Sequence, residues 1–152
     1  MHIRISKSKR KLWVFQNNVI VLKTTVALGQ NPIGTKTREG DGCTPEGIYR
    51  ICLEKAEGKY GQSLGLDYPS QKDAEQALRE QRIDEATYRA ILSAHAQGCR
   101  PPWGTPLGGE IYLHGGGTET DWTQGCIALG NDPMAELFAL RKHIERVEIL
   151  PD

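Results

Sequence analysis

Charge of one sign is missing from this sequence. Lys+Arg and Asp+Glu both number 19 in 152 residues, so the formal net charge is zero. Nucleic-acid binding relies on a basic excess to neutralise phosphates, so nucleic acid is excluded as a partner. The one basic run, Ser6-Lys7-Ser8-Lys9-Arg10-Lys11, is short and reads as a solvated turn. Long apolar runs are missing too, and none approaches the roughly 20 residues of a membrane span, so no transmembrane segment is expected. Met1-His2-Ile3-Arg4-Ile5 enters an alternating pattern at once, without the apolar stretch of a secretion signal. On that reading either the protein stays inside the cell or the chain is a mature or trimmed form. Cys43, Cys52, Cys99 and Cys126 include no C-x-x-C pair, which excludes a zinc ribbon or a thioredoxin-like motif. A Cys43–Cys52 disulfide stays open, and free thiols are the default. There is no internal repeat, low-complexity segment or linker, so residues 1–152 read as one soluble globular domain, 38% apolar and 25% charged.

What is present begins with strands. Ile3 and Ile5, Leu12 and Val14, Val19 and Val21, then Val26 and Leu28 alternate with their neighbours, the period of half-buried strands. Asn17-Asn18 suits a hairpin turn because Asn tolerates positive φ. Residues 29–34 and 39–47 read as loops, and Ile48 to Leu53 as one further strand. The middle of the chain turns helical. Ser70 with Asp73 resembles a capping box, Asp84 caps a second helix, and Gly98 suits its C-terminal end. Tyr88, Ile91, Leu92 and His95 share one face there, with His95 read as a packing or surface residue. Asn131-Asp132-Pro133 predicts a last helix capped by Asp132. Val147 and Ile149 predict a closing strand. The fold class is therefore α+β, mainly β, with a helical insertion over about 70–98 and a helix after Cys126.

Chemistry concentrates in two short segments, Ile111-Tyr112-Leu113-His114-Gly115 and Thr123-Gln124-Gly125-Cys126-Ile127. A thiolate is a nucleophile, and a nearby imidazole can take its proton and hold it. Gly125 allows a close approach of backbone to a substrate carbonyl, and the amides of Gly125 and Cys126 are candidate oxyanion donors. Tyr112 and His114 share one strand face, so His114 can face a cleft while Ile111 and Leu113 pack inward. The competing view makes Cys126 a buried core thiol and His114 a structural histidine. Trp122 is either a substrate wall or an anchor for the loop. Lys36 and Arg38 could meet a substrate carboxylate, or be solvated loop charges.

Gly61-Gln62-Ser63-Leu64-Gly65 matches G-x-S-x-G, and His114-Gly115-Gly116-Gly117 matches a lipase oxyanion motif. Their order is reversed for a serine hydrolase, and no strand–turn–helix context surrounds Ser63. Ser63 is read as a loop residue.

Taken together, the segments Glu39-Gly40-Asp41-Gly42, Thr44-Pro45-Glu46-Gly47-Ile48-Tyr49, Leu113-His114-Gly115 and Asp121 to Asn131 resemble the L,D-transpeptidase (YkuD-like) catalytic domain family. The resemblance covers nearly the whole chain. It implies a β-sandwich-type body with a catalytic cysteine in a cleft, acting on peptidoglycan stem peptides without metal or organic cofactor, in the periplasm or cell envelope. Carried over by position, Cys126 is the nucleophile, His114 the base, and Gly115 the source of a carbonyl that orients the imidazole. Gly125, Gln124, Trp122 and Thr123 are the implied oxyanion or substrate contacts. Gln124 stands where many members have His, Ala128 where many have Arg, and only eleven residues separate His114 from Cys126. The acyl-enzyme would pass to an amine, or to water in an L,D-carboxypeptidase. A non-catalytic peptidoglycan-binding domain, or a cysteine peptidase or amidase of other specificity, are the remaining readings.

Overall fold

The computed structural model describes residues 1–152 and builds them around two sheets. Chain order is β1 (His2–Ser6), β2 (Lys11–Gln16), β3 (Val19–Thr25), β4 (Gly47–Tyr49), β5 (Ile51–Lys55) and β6 (Ser63–Leu66). Helices α1 (Gln71–Arg79) and α2 (Glu85–Ala96) follow, then β7 (Tyr112–His114), β8 (Ile127–Ala128), α3 (Asn131–Ala139) and β9 (Arg146–Leu150). The larger sheet runs β3-β2-β1-β9-β4 and the smaller β5-β6-β7-β8.

Alternation decides which faces meet. Ile3 and Ile5 of β1 are fully buried, opposite Val14 and Leu12 of β2 and beside Val147 and Ile149 of β9, while Arg4 points out and pairs with Glu148. Leu64 and Leu66, Leu113 and Ile127 supply the facing side from the smaller sheet, and Met134, Leu137 and Phe138 of α3 close the same core. Each such fully buried aliphatic side chain contributes about 1.5–3 kcal/mol. Asn17 and Asn18 both take positive φ, 50° and 65°, which is the twist a tight hairpin requires.

The helical insertion forms as its caps predict. Ser70 accepts from the Asp73 amide, and Asp73 returns a bond to the Ser70 amide. The Asp84 carboxylate accepts from the Thr87 amide, and Gly98 beyond α2 takes φ +66°. Ala74, Ala77, Ile83, Ile91 and Leu107 make a small core of their own. His95 of α2 packs with its Nε2 2.7 Å from the Pro69 carbonyl. No helix is long and apolar enough to cross a membrane.

Several local readings are corrected. Residues 48–53 are two strands in different sheets, because the chain crosses from one to the other at Arg50. Val26 to Leu28 lie beyond the ladder of β3, and only Ala27 bridges, to Ala128. Helix α3 starts at Asn131 with Gly130 as its N-cap, so Asp132 lies in the first turn rather than at the cap, and the Asn131 side chain accepts from the Gly116 amide. Lys7 is not solvated. Its ammonium is buried and donates to the carbonyls of Gly34 and Thr44 and to Glu46, so it ties the loop after β3 to the body.

Candidate active site

Strands β7 and β8 run parallel, with Leu113 level with Ile127 and His114 level with Ala128. Cys126 precedes β8 by one residue and so comes level with Tyr112. A parallel pair needs a crossover of roughly a dozen residues, and the segment between His114 and Ile127 supplies that length without a helix. The two chemical residues thus end up at the same edge of the smaller sheet, and both line a cleft of about 460 Å3.

The connecting segment is held from below. Asp121 receives a salt bridge from Arg10 at 2.7 Å and the Leu28 amide at 3.0 Å. Burial alone would raise the Asp121 carboxyl, but these donors outweigh it and hold the group below its ordinary range. The Thr123 hydroxyl donates to the Cys126 carbonyl at 2.7 Å and accepts from the Gly125 amide at 3.1 Å. Gly125 has φ +137°, and a Cβ there would lie 2.7 Å from the Cys43 carbonyl, so glycine is required.

The thiol of Cys126 donates to the Glu110 carbonyl and accepts from the Tyr112 amide, both at 3.4 Å. Burial pushes this thiol above its ordinary range; the Tyr112 N–H opposes that shift and the Glu110 carboxylate reinforces it. Imidazole Nδ1 of His114 lies 2.6 Å from the Gly115 carbonyl. A carbonyl can only accept, so Nδ1 carries the proton and Nε2 is left as the basic nitrogen. Burial lowers the imidazole pKa, partly offset by that hydrogen bond. At neutral pH the resting pair is therefore a thiol and a neutral imidazole rather than an ion pair.

Aromatic rings wall the imidazole. Tyr60 stacks on His114 at 4.6 Å between centroids, and Trp122 meets it edge-on at 5.6 Å, with the indole N–H donating to the Gly117 carbonyl. Trp122 thus lines the cleft and anchors its own loop. Gln124 lines the cleft with an exposed side chain. The hydroxyl of Thr123 is committed to the loop, and so is the Gly125 amide. The Cys126 amide has no partner within the protein and is the open donor beside the thiol. Gly115 lies behind the imidazole, where a Cβ would come within 2.6 Å of Asn131 Oδ1.

Other expectations are revised. Lys36 is neither a solvated charge nor a cleft residue, because its buried ammonium pairs with Asp41 at 3.0 Å. Arg38 does not line the cleft. Ser63 belongs to β6, buried and opposite His114, yet no helix follows it as a nucleophile elbow demands. All four cysteines are free thiols. Sequence reasoning missed Lys55, Lys59, Tyr60 and Glu110. Glu110 takes φ +55°, and Lys59 and Tyr60 occupy a turn closed by the Gly61 amide on the Gly58 carbonyl. The Gly58-x-x-Gly61 spacing was the one local signal for that turn, and nothing local showed what it would cover.

Among solved structures, the chain is similar to the helical cell shape determining protein Pgp2 from Campylobacter jejuni, with 20% identity and a TM-score of 0.63 over 97% of this chain and 46% of that one. It is similar to Bd1075 from Bdellovibrio bacteriovorus, with 20% identity and a TM-score of 0.59 over 99% of this chain and 47% of that one. An L,D-transpeptidase from Stackebrandtia nassauensis matches at 12% identity with a TM-score of 0.57, over 98% of this chain and 54% of that one. The chain thus spans about half the length of these proteins, and at such identities the likeness establishes the fold. Comparison with curated proteins gave no match. The family model for the L,D-transpeptidase catalytic domain (YkuD) matches residues 1–149, and the chain belongs to that family.

Proposed function

We propose that this chain is a cysteine acyl-transferase acting on peptidoglycan stem peptides. The observation that carries the reading is the meeting, in one cleft, of a half-buried thiol and an imidazole whose Nδ1 proton is fixed on a backbone carbonyl. Membership of the L,D-transpeptidase family supports the substrate class.

In this mechanism Nε2 of His114 removes the proton from Cys126 as the sulfur attacks the carbonyl of the third stem residue. The neutral resting pair supports deprotonation concerted with attack over a preformed thiolate. The free Cys126 amide supports the oxyanion. The scissile C–N bond breaks, terminal D-Ala leaves with the proton returned from His114, and a thioester remains on Cys126. An amine then attacks the thioester, His114 accepts the amine's proton, and the thiol is released. Gly115 acts through its carbonyl, as a positioning residue. The envelope is the compartment in which such a substrate is found.

The test is mass spectrometry of disaccharide-tetrapeptide incubated with the reduced protein and with Cys126→Ala. Loss of D-Ala with a new cross-linked dimer, absent in the variant, is the expected result. Loss of D-Ala without dimer would move the assignment to an L,D-carboxypeptidase. No change in either sample would sink the acyl-transfer reading and leave a binding domain.

A further inference from the structure

Ala128, where many relatives carry arginine, is fully buried, so that position offers no cation to a substrate. Cations come to the cleft from elsewhere. Lys55, at the end of β5, and Lys59, in the turn between β5 and β6, both line it. Neither makes a salt bridge, whereas Lys7 and Lys36, the buried lysines, are both paired. Both cleft lysines are instead held over rings. Lys55 Nζ lies 4.9 Å from the centroid of Tyr112, and Lys59 Nζ 5.4 Å from that of Tyr60. Each tyrosine meets one of the two reacting groups, Tyr112 through its backbone and Tyr60 through its ring. The Tyr112 amide donates to the Cys126 sulfur, and Tyr60 stacks on the His114 imidazole. The only carboxylate on the cleft wall is Glu110, and it makes no ion pair with either lysine.

We infer that Lys55 and Lys59 form a carboxylate clamp that receives the C-terminal carboxylate of the donor peptide, an inference that rests on the proposed acyl-transfer reading. When the scissile carbonyl is at Cys126, the leaving residue extends about 3.5 Å further before its carboxylate begins. Tyr112 is the residue whose amide meets the sulfur, and Lys55 stands over its ring. The clamp reads the end of the peptide rather than its interior, since a chain that continued past the leaving residue would carry an uncharged amide there. It therefore selects tetrapeptides that end at the leaving residue. An ammonium over a tyrosine face is held in place yet keeps donors free for an anion.

Binding tests this without turnover. Cys126→Ala protein is titrated by calorimetry with a synthetic tetrapeptide stem as the free acid and as its C-terminal carboxamide. The same titrations follow in Cys126→Ala carrying Lys55→Gln with Lys59→Gln, and in Cys126→Ala carrying Lys55→Arg with Lys59→Arg. The acid is expected to bind at least tenfold more tightly than the amide. The Gln pair is expected to abolish that difference with the amide's affinity unchanged, and the Arg pair to retain it. Equal affinities for acid and amide, an equal loss for both in the Gln pair, or no binding of the acid would overturn the clamp. Turnover by the parent enzyme separates the two ideas. D-Ala release without acid–amide discrimination defeats the clamp alone, and discrimination without D-Ala release defeats the acyl-transfer reading alone.

Discussion

The imidazole of His114 is oriented by the carbonyl of the very next residue, Gly115, at 2.6 Å from Nδ1. A donor–acceptor pair this local needs no distant acid to fix the tautomer, and it leaves Nε2 to the cleft. It also places no full negative charge behind the imidazole, so the carbonyl hydrogen bond offsets the lowering by burial only in part.

The pH dependence follows from those directions. Cys126 is pushed above the ordinary thiol value of 9.0 and His114 below the ordinary imidazole value of 6.5. Iodoacetamide should therefore alkylate Cys126 slowly at neutral pH, with a rate that keeps rising past pH 9. The acid limb of kcat/KM should lie below pH 6.5, because the base stays unprotonated until then. An alkylation plateau near neutrality would contradict the neutral-pair assignment.

Tyr60 covers one face of His114. Tyr60→Ala should relieve the burial that lowers the imidazole and move its titration up toward 6.5, read from the ring proton shifts by NMR. Tyr60→Phe keeps the ring and should leave the titration where it was. An unmoved midpoint in Tyr60→Ala would show that other walls do the desolvating.

At Gly115 the constraint is space. A methyl group would come within 2.6 Å of Asn131 Oδ1, which accepts from the Gly116 amide. Gly115→Ala should cost about 1–3 kcal/mol in urea unfolding. It should also lower kcat more than it raises KM, because the imidazole loses its fixed carbonyl. Adding Asn131→Gly should recover stability through the freed space.

Lys7 lies outside the cleft and ties the loop after β3 to the body. Removing its ammonium strands the Gly34 and Thr44 carbonyls and the Glu46 carboxylate. Lys7→Met should destabilise the protein by about 3 kcal/mol, seen as a lower urea midpoint with an unchanged slope. A change within a few tenths of a kcal/mol would show that water replaces the ammonium.

How much was legible in the sequence depends on the range of the interaction. Alternation over Ile3 and Ile5, the Ser70–Asp73 box and the Asn17-Asn18 turn are local, and their elements form where the residues say. Ile48 to Leu53 misled because one run of strand-forming residues can serve two sheets, and only packing shows the crossing at Arg50. Lys7 misled for the same reason. Its three acceptors lie between 27 and 39 residues away, and no local pattern announces them.

The site divides along the same line. Cys126, His114 and Gly115 are recognisable because the thiol, the imidazole and its carbonyl partner lie in two short segments whose chemistry depends on residue type. Tyr60 over the imidazole, the two lysines over their rings, Glu110 at the thiol and the commitment of Thr123 to its own loop depend on strand register and turn geometry. A candidate nucleophile and a candidate base can be named from residue type in two short segments, whereas burial, and with it the protonation of both, exists only once β6, β7 and β8 are side by side.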